Sequence, residues 1–238
     1  MLFEIKGMKI FWLQIFMSLF VMPTAFLFLA LLRIGPDSEE VAFLLSGFIV
    51  ASLVGSFFGA LALRICNLMQ IEVLELYSTF ALSKGEIISN MAFTYALFAL
   101  PQILISIVVL AFTSPSFNAF LMSFSILWVI LLIALLAVWL GLVVRNYYYA
   151  LGIFPLLAWI SILLTPAYYD MAKLNPIFQM VLFINPITHC LSLLRIGLGL
   201  TPPLHFLWSL LYTSILFGLL LILTLKRIKD IYILEKLF

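Results

Sequence analysis

Ile126-Leu127-Trp128-Val129-Ile130-Leu131-Leu132-Ile133-Ala134-Leu135-Leu136 is an unbroken apolar run in which hydrophobic and polar residues never alternate. A strand of a membrane barrel alternates lipid-facing apolar residues with polar residues facing the lumen. This run cannot do so. Lipid offers no partner to exposed backbone N–H and C=O groups, so such a run closes its hydrogen bonds within itself as a helix. It lies within a longer apolar segment at about 119–144, and the rest of the chain repeats the pattern. Further spans are expected at about 15–33, 41–63, 91–113, 148–166 and 206–225. Each approaches the 20 or so apolar residues needed to cross a hydrocarbon core of roughly 30 Å.

The composition agrees. Hydrophobic residues make up 66% of the 238 and charged residues only 9%, and the mean hydropathy is +1.28. A soluble domain carries about 25% charged residues; water could not solvate a surface so poor in charge. The expected fold is an all-α integral membrane protein, one domain over residues 1–238. Six spans are expected, with an interfacial helix ahead of them and short re-entrant or interfacial helices before the last. The net charge of +2 gives no argument for nucleic-acid binding.

Charge placement predicts orientation. With a cytoplasmic N-terminus, Lys6, Lys9, Arg64, Lys84, Arg145, Lys226, Arg227, Lys229 and Lys236 lie inside, and only Arg33, Lys173 and Arg195 lie outside. Positive charge favours the inside, so both termini are expected in the cytoplasm of a multi-pass protein of the cell inner (plasma) membrane. A cleaved signal peptide is not expected, because the first apolar run is too long and no small-x-small site follows it. In the segment before it, at about 2–14, Leu2, Ile5, Met8 and Trp12 recur at helical spacing, with Ile15 just beyond, while Lys6 and Lys9 point elsewhere. This fits a helix lying in the interface. Cys66 and Cys190 fall on opposite sides of the bilayer, too far apart for a disulfide, and no Cys/His spacing suggests a metal site.

Two connections are long. The cytoplasmic one, about 64–90, places Leu68, Ile71, Leu74 and Glu75 at helical spacing, and Ser83 with Glu86 three residues later has the form of a capping box. Two short helices joined by a bend are therefore expected, either as a docking surface for a cytoplasmic partner or as an amphipathic loop on the membrane. The external connection, about 167–205, carries Asn175-Pro176, Asn185-Pro186 and Pro202-Pro203 between apolar stretches. A residue before proline avoids helix, so each pair breaks the chain. The pieces between are too short to cross, and re-entrant or interfacial helices are expected, with a partly buried external loop as the plain alternative. Asp170, His189 and Arg195 are expected at the outer interface, where Arg can snorkel; Tyr147, Tyr148 and Tyr149 fit an aromatic belt at the other side. Gly55-Ser56-Phe57-Phe58-Gly59 is a small-xxx-small pattern that predicts a tight helix contact inside the bundle.

With this layout in view, the chain resembles the permease subunits of ABC-2-type exporters over nearly its whole length. Val73-Leu74-Glu75-Leu76 followed by Leu82-Ser83-Lys84-Gly85-Glu86-Ile87 is similar to that family's Thr-Leu-Glu-x-Leu … Pro-x-Ser-Arg-x-Glu-Ile loop. Asn185-Pro186-Ile187-Thr188 with Leu194-Arg195 is similar to its Asn-Pro-Leu-Thr … Leu-Arg stretch. The chain departs from the family at Glu72, where Gly is usual, at Phe80, where Pro is common, and at Asn90, where Lys often stands. The resemblance implies a permease dimer, a homodimer being expected, and a separate nucleotide-binding ATPase subunit that holds ATP and Mg. The 64–90 connection would then supply a coupling helix, with Glu72, Glu75, Ser83, Lys84 and Glu86 as the coupling residues. The Asn185, Pro186, His189 and Arg195 region would form the re-entrant element. The chain has no Gly-x-x-x-x-Gly-Lys-Ser/Thr loop of its own to cradle phosphates.

Nearly uncharged spans suit a hydrophobic or amphipathic substrate, such as a lipid-linked compound, a drug or a polysaccharide stacking on aromatics. Two other classes stay open. An ion-coupled transporter or channel would be expected to show inverted repeats with broken spans in both halves. An intramembrane enzyme would need a Gly-x-Ser-x-Gly or His-Glu-x-x-His motif, and neither occurs.

Overall fold

The computed structural model describes residues 38–78, 83–114, 116–144 and 146–235, together with the single positions Leu13, Phe16, Thr24 and Phe28. The interfacial helix expected at 2–14 and the span expected at 15–33 lie outside the described residues. All elements in the described part are helical. They are α1 (Ser38–Ser56), a π turn (Phe57–Leu61), α2 (Ala62–Leu68), α3 (Ile71–Ser78), α4 (Lys84–Thr113), α5 (Ala119–Val143), α6 (Tyr147–Leu163), a 3-10 turn (Met171–Lys173), α7 (Pro176–Ile184), α8 (Pro186–Gly197) and α9 (Phe206–Glu235).

Among the described residues four helices are long and apolar enough to cross a bilayer: Glu39–Leu68, Lys84–Phe112, Ala119–Val143 and Phe206–Lys229. The shortest has 24 residues and rises about 36 Å, more than the roughly 30 Å of a hydrocarbon core. The α6 helix has 17 residues and rises only about 26 Å.

One rule starts four of these helices, α5 to α8. Asn118 accepts from the Leu121 N–H at 3.0 Å, and Asn146 from Tyr148 and Tyr149. Asn175 and Asn185 do the same for α7 and α8, each followed by a proline at the first helical position. The side-chain oxygen satisfies an N–H that the helix leaves orphaned, and proline gives up an N–H that would have had no partner there. The α8 helix then ends in a Schellman motif. Gly199, at φ +67°, lets its own N–H reach Ile196 O and the Leu200 N–H reach Arg195 O at 3.0 Å. The left-handed conformation is costly for any residue with a Cβ.

The 64–90 connection departs from expectation. The helix of the second span runs on to Leu68, bends at Met69-Gln70, and leaves one short helix, α3. The second short helix expected after Ser83 is instead the first two turns of α4. The capping box starts it as predicted, and nothing in Lys84–Thr113 stops it until Ser114, whose extended backbone precedes Pro115. Gly85 sits in the first turn, where its flexibility costs least.

The bundle has two distinct ends. At one, α5 begins beside α8 and α9: Asn118 N donates to Gly197 O at 3.0 Å, Ser125 Oγ to Leu193 O at 3.0 Å and Trp128 Nε1 to Thr213 Oγ1 at 3.0 Å. At the other, the last turn of α5 meets α2: Gly141 packs on Ala62 O and Ile65, and Cys66 Sγ donates to Val144 O at 3.0 Å. The α1–α2 helix, α5 and α9 thus run one way, and α4 and α6 return. The α7 and α8 helices meet at an 88° bend. Their hydrogen bonds to the rest of the bundle reach the same end of it, so we call it the hairpin end. Arg64, Lys84, Lys226, Arg227 and Lys229 collect at the opposite, basic end.

The α1–α2 helix is central, with 78% of its apolar window buried, whereas α9 is peripheral at 17%. Leu207, Trp208, Leu211, Ile215, Leu219 and Ile222 stand exposed along α9. An apolar face of this extent is at home in lipid rather than water.

Candidate functional site

At the hairpin end polar side chains gather around open backbone carbonyls, and helix geometry explains why. The last carbonyls of every helix lack intrahelical partners. In a low-dielectric interior each one left unbonded costs about 1–3 kcal/mol. The open carbonyls lie at the ends of α6 and α7 and in the turn after α6. Leu163 O accepts from Tyr169 Oη at 2.9 Å, Leu164 O from Asn185 Nδ2 at 2.8 Å, and Ala167 O from Arg195 Nη2 at 3.0 Å. Beyond the bend, Phe183 O lies 2.8 Å from His189 Nε2, and Ile184 O accepts from Tyr212 Oη at 2.6 Å. Five orphaned carbonyls therefore have five side-chain partners, four of them from other segments of the chain.

Asn185 does two jobs. Its Oδ1 caps α8 through the Ile187 N–H at 3.1 Å, and its Nδ2 also reaches Thr165 Oγ1 at 3.0 Å. Pro186 fixes the first turn of α8 and contributes no donor. His189 is fully buried. Phe183 O can only accept, so Nε2 carries the proton. Nδ1 then accepts from the Ser209 hydroxyl at 3.3 Å. The ring stacks on Tyr212 with centroids 4.1 Å apart and takes the edge of Phe183 at 5.6 Å.

Arg195 corrects an expectation. It does not snorkel to the outer interface; it is 1% exposed, the one buried Lys, Arg, Asp or Glu among the described residues. Its Nε donates to Ser46 Oγ at 3.1 Å, and its guanidinium lies 3.6 Å over the Phe43 ring centroid. Ser46 is itself fixed, donating to Phe43 O at 2.6 Å. A planar, weakly hydrated guanidinium can bond a carbonyl and a hydroxyl while stacking on an aromatic face, which is how burial becomes tolerable. Asp170 lies within electrostatic reach but remains at the surface. There it caps the 3-10 turn through Ala172 N and lies 4.0 Å from Lys173. Arg195 thus joins α1, the turn after α6 and α8 at one point. Gly47 packs beside it so closely that a Cβ would overlap the Ala167 carbonyl.

The basic end is open. Glu72 and Glu75 stand exposed on α3, which Arg64 ties to the end of α2 through Nη2 to Tyr77 Oη at 3.1 Å. Ser83 and Glu86 form the capping box: Ser83 N donates to Glu86 Oε2 at 2.7 Å and Glu86 N to Ser83 Oγ at 3.3 Å. The Ser83 backbone N–H, then its hydroxyl, hold the exposed Glu86 carboxyl below the usual carboxylate range. Ser83, Gly85, Glu86, Ser89 and Asn90 line an open groove of about 550 Å³. Lys84, half-buried, begins α4 beside them. Tyr148 and Tyr149 are exposed at the same end, as an aromatic belt requires.

Gly55 and Gly59 are both buried within the bundle. The small-xxx-small pattern did not predict that the helix winds as a π turn over Phe57–Leu61, which includes Gly59. Ser46, Phe43, Ala167 and Tyr169 were also missed, as was Tyr212. Only Tyr212 left a signal: a phenol within an apolar last span needs a partner for its hydroxyl. Compared with known proteins, the chain matches no family model, no curated relative and no solved structure, so the reading of the site stands on its own geometry.

Proposed function

We propose that this chain is the membrane-spanning permease subunit of an ATP-driven exporter of the ABC-2 type. A separate nucleotide-binding subunit holds ATP and Mg, and a second copy of the chain completes the pathway. The observation that carries this reading is the inequality of the two ends. At one end a helix of 8 residues, α3, exposes Glu72 and Glu75, and Ser83–Asn90, with the exposed Glu86, line an open groove. Exposed charges beside a groove can fix the register of a complementary partner. At the other end a bent helix pair is sewn across the bundle by side-chain donors, His189 and Arg195 among them fully buried. The basic residues at the first end favour a cytoplasmic position for it. The uncharged, aromatic-rich helices suit a hydrophobic or amphipathic cargo.

The bent pair also favours a second reading, an ion-coupled transporter, since broken helices build the sites of such proteins. One experiment separates the two. The chain is purified gently from native membranes, co-eluting proteins are identified, and vanadate-sensitive ATP hydrolysis is measured. A co-eluting soluble ATPase whose activity drops with Glu75→Ala is the expected result. A pure chain without nucleotide turnover, from a preparation in which a control complex survives, would overturn the exporter reading.

A further inference from the structure

The α1–α2 helix, the longest apolar helix among the described residues, is fastened at its two ends to different partners. In α1, Ser46 and Phe43 hold Arg195 of α8, and Gly47 packs on the Ala167 carbonyl. In α2, Ala62 and Ile65 receive Gly141 of α5, Cys66 bonds Val144 O, and Arg64 bonds Tyr77 of α3. The first set belongs to the hairpin end, the second to the basic end. Between them the winding changes: Phe57–Leu61 forms a π turn, with Ala62 N bonded to Phe57 O. The residues on either side, Ser56 and Ala62, keep ordinary α dihedrals.

Such a turn inside an α-helix is one residue more than the helix needs. Its i→i+5 bonds are less well formed than α bonds, and helices bend or unwind at these places rather than elsewhere. The local chemistry agrees. Gly55 and Gly59 lower the steric cost of rewinding. The hydroxyls of Ser52 and Ser56, one turn earlier, are buried without a hydrogen-bond partner among the described residues, so they can take up carbonyls that a change of winding releases.

We propose that the π turn Phe57–Leu61 is a hinge that lets α1, with the Arg195 junction, and α2, with the Arg64–α3 junction, shift relative to one another. The proposal rests on the helix geometry and is independent of the exporter reading.

Deleting one residue of the turn restores a plain α-helix and leaves both junctions in register. Deleting one residue elsewhere, such as Val50, turns α1 by about 100° and takes Ser46 and Gly47 off their partners. Amide hydrogen exchange is followed by mass spectrometry on the full chain in lipid nanodiscs. In the wild type, amides 58–62 are expected to exchange at least about tenfold faster than amides 49–54. With Ala60 deleted, the difference should close and the thermal midpoint should stay near that of the wild type, whereas deletion of Val50 lowers it sharply. Equal protection across 49–62 in the wild type would overturn the proposal. So would a difference that persists when Ala60 is deleted, or loss of the fold on that deletion to the same degree as on deletion of Val50.

Discussion

The hairpin end and the basic end use the same kinds of residue in opposite ways. At the hairpin end His189 and Arg195 are buried, and each is aimed at a backbone carbonyl, Phe183 O at the end of α7 and Ala167 O in the turn after α6. At the basic end Glu72, Glu75 and Glu86 are exposed; Glu86 bonds only its own cap among the hydrogen bonds given above, and the groove beside it opens outward. Irregular backbone in an apolar bundle must be satisfied from within, so polar residues at the hairpin end are consumed by the fold. Those at the basic end stay exposed at the surface. A charged residue in an apolar chain is therefore informative about partners only after its debt to the local backbone has been counted.

Substitutions can break or sharpen that contrast. The largest effect is expected from Arg195→Met, which leaves Ala167 O and Ser46 Oγ without their donor; the unfolding free energy in detergent should fall by about 3 kcal/mol. Arg195→Lys should recover only part, since one ammonium on a flexible stem cannot serve the carbonyl, the hydroxyl and the ring together. Tyr212→Phe and His189→Phe should each cost about 1–2 kcal/mol by exposing Ile184 O or Phe183 O. Their double substitution should depart from additivity, because the two rings stack. Ser83→Ala should cost about 1 kcal/mol through the lost cap of α4. Glu75→Ala should leave stability within about 0.5 kcal/mol while lowering transport. A thermal loss at Glu75 as large as that at Arg195 would erase the distinction between the ends.

Four apolar spans were legible because composition alone dictates them: those expected at 41–63, 91–113, 119–144 and 206–225 each have at their core a helix long enough to cross, whereas the one expected at 148–166 is the shorter α6. The Asn-Pro breaks were legible too, since capping and the missing proline N–H are local effects. Three features were not. The run of α4 from Lys84 was hidden because a capping box marks where a helix starts but not where it stops. The π turn was hidden because glycine spacing is the same whether a helix is wound as α or π. The burial of Arg195 was hidden because Ser46 lies 149 residues away, and nothing near Arg195 in the chain announces it.

Labelling Cys at position 75 with a membrane-impermeant maleimide tests the central claim most directly, that the basic end is a free cytoplasmic docking face. Cys66 and Cys190 are both buried, so a Glu75→Cys chain carries one accessible thiol among the described residues. The account predicts labelling in inside-out vesicles stripped of peripheral proteins, protection in vesicles that keep them, and no labelling from the outside of intact cells. Labelling from outside the cell, or equal labelling before and after stripping, would contradict it.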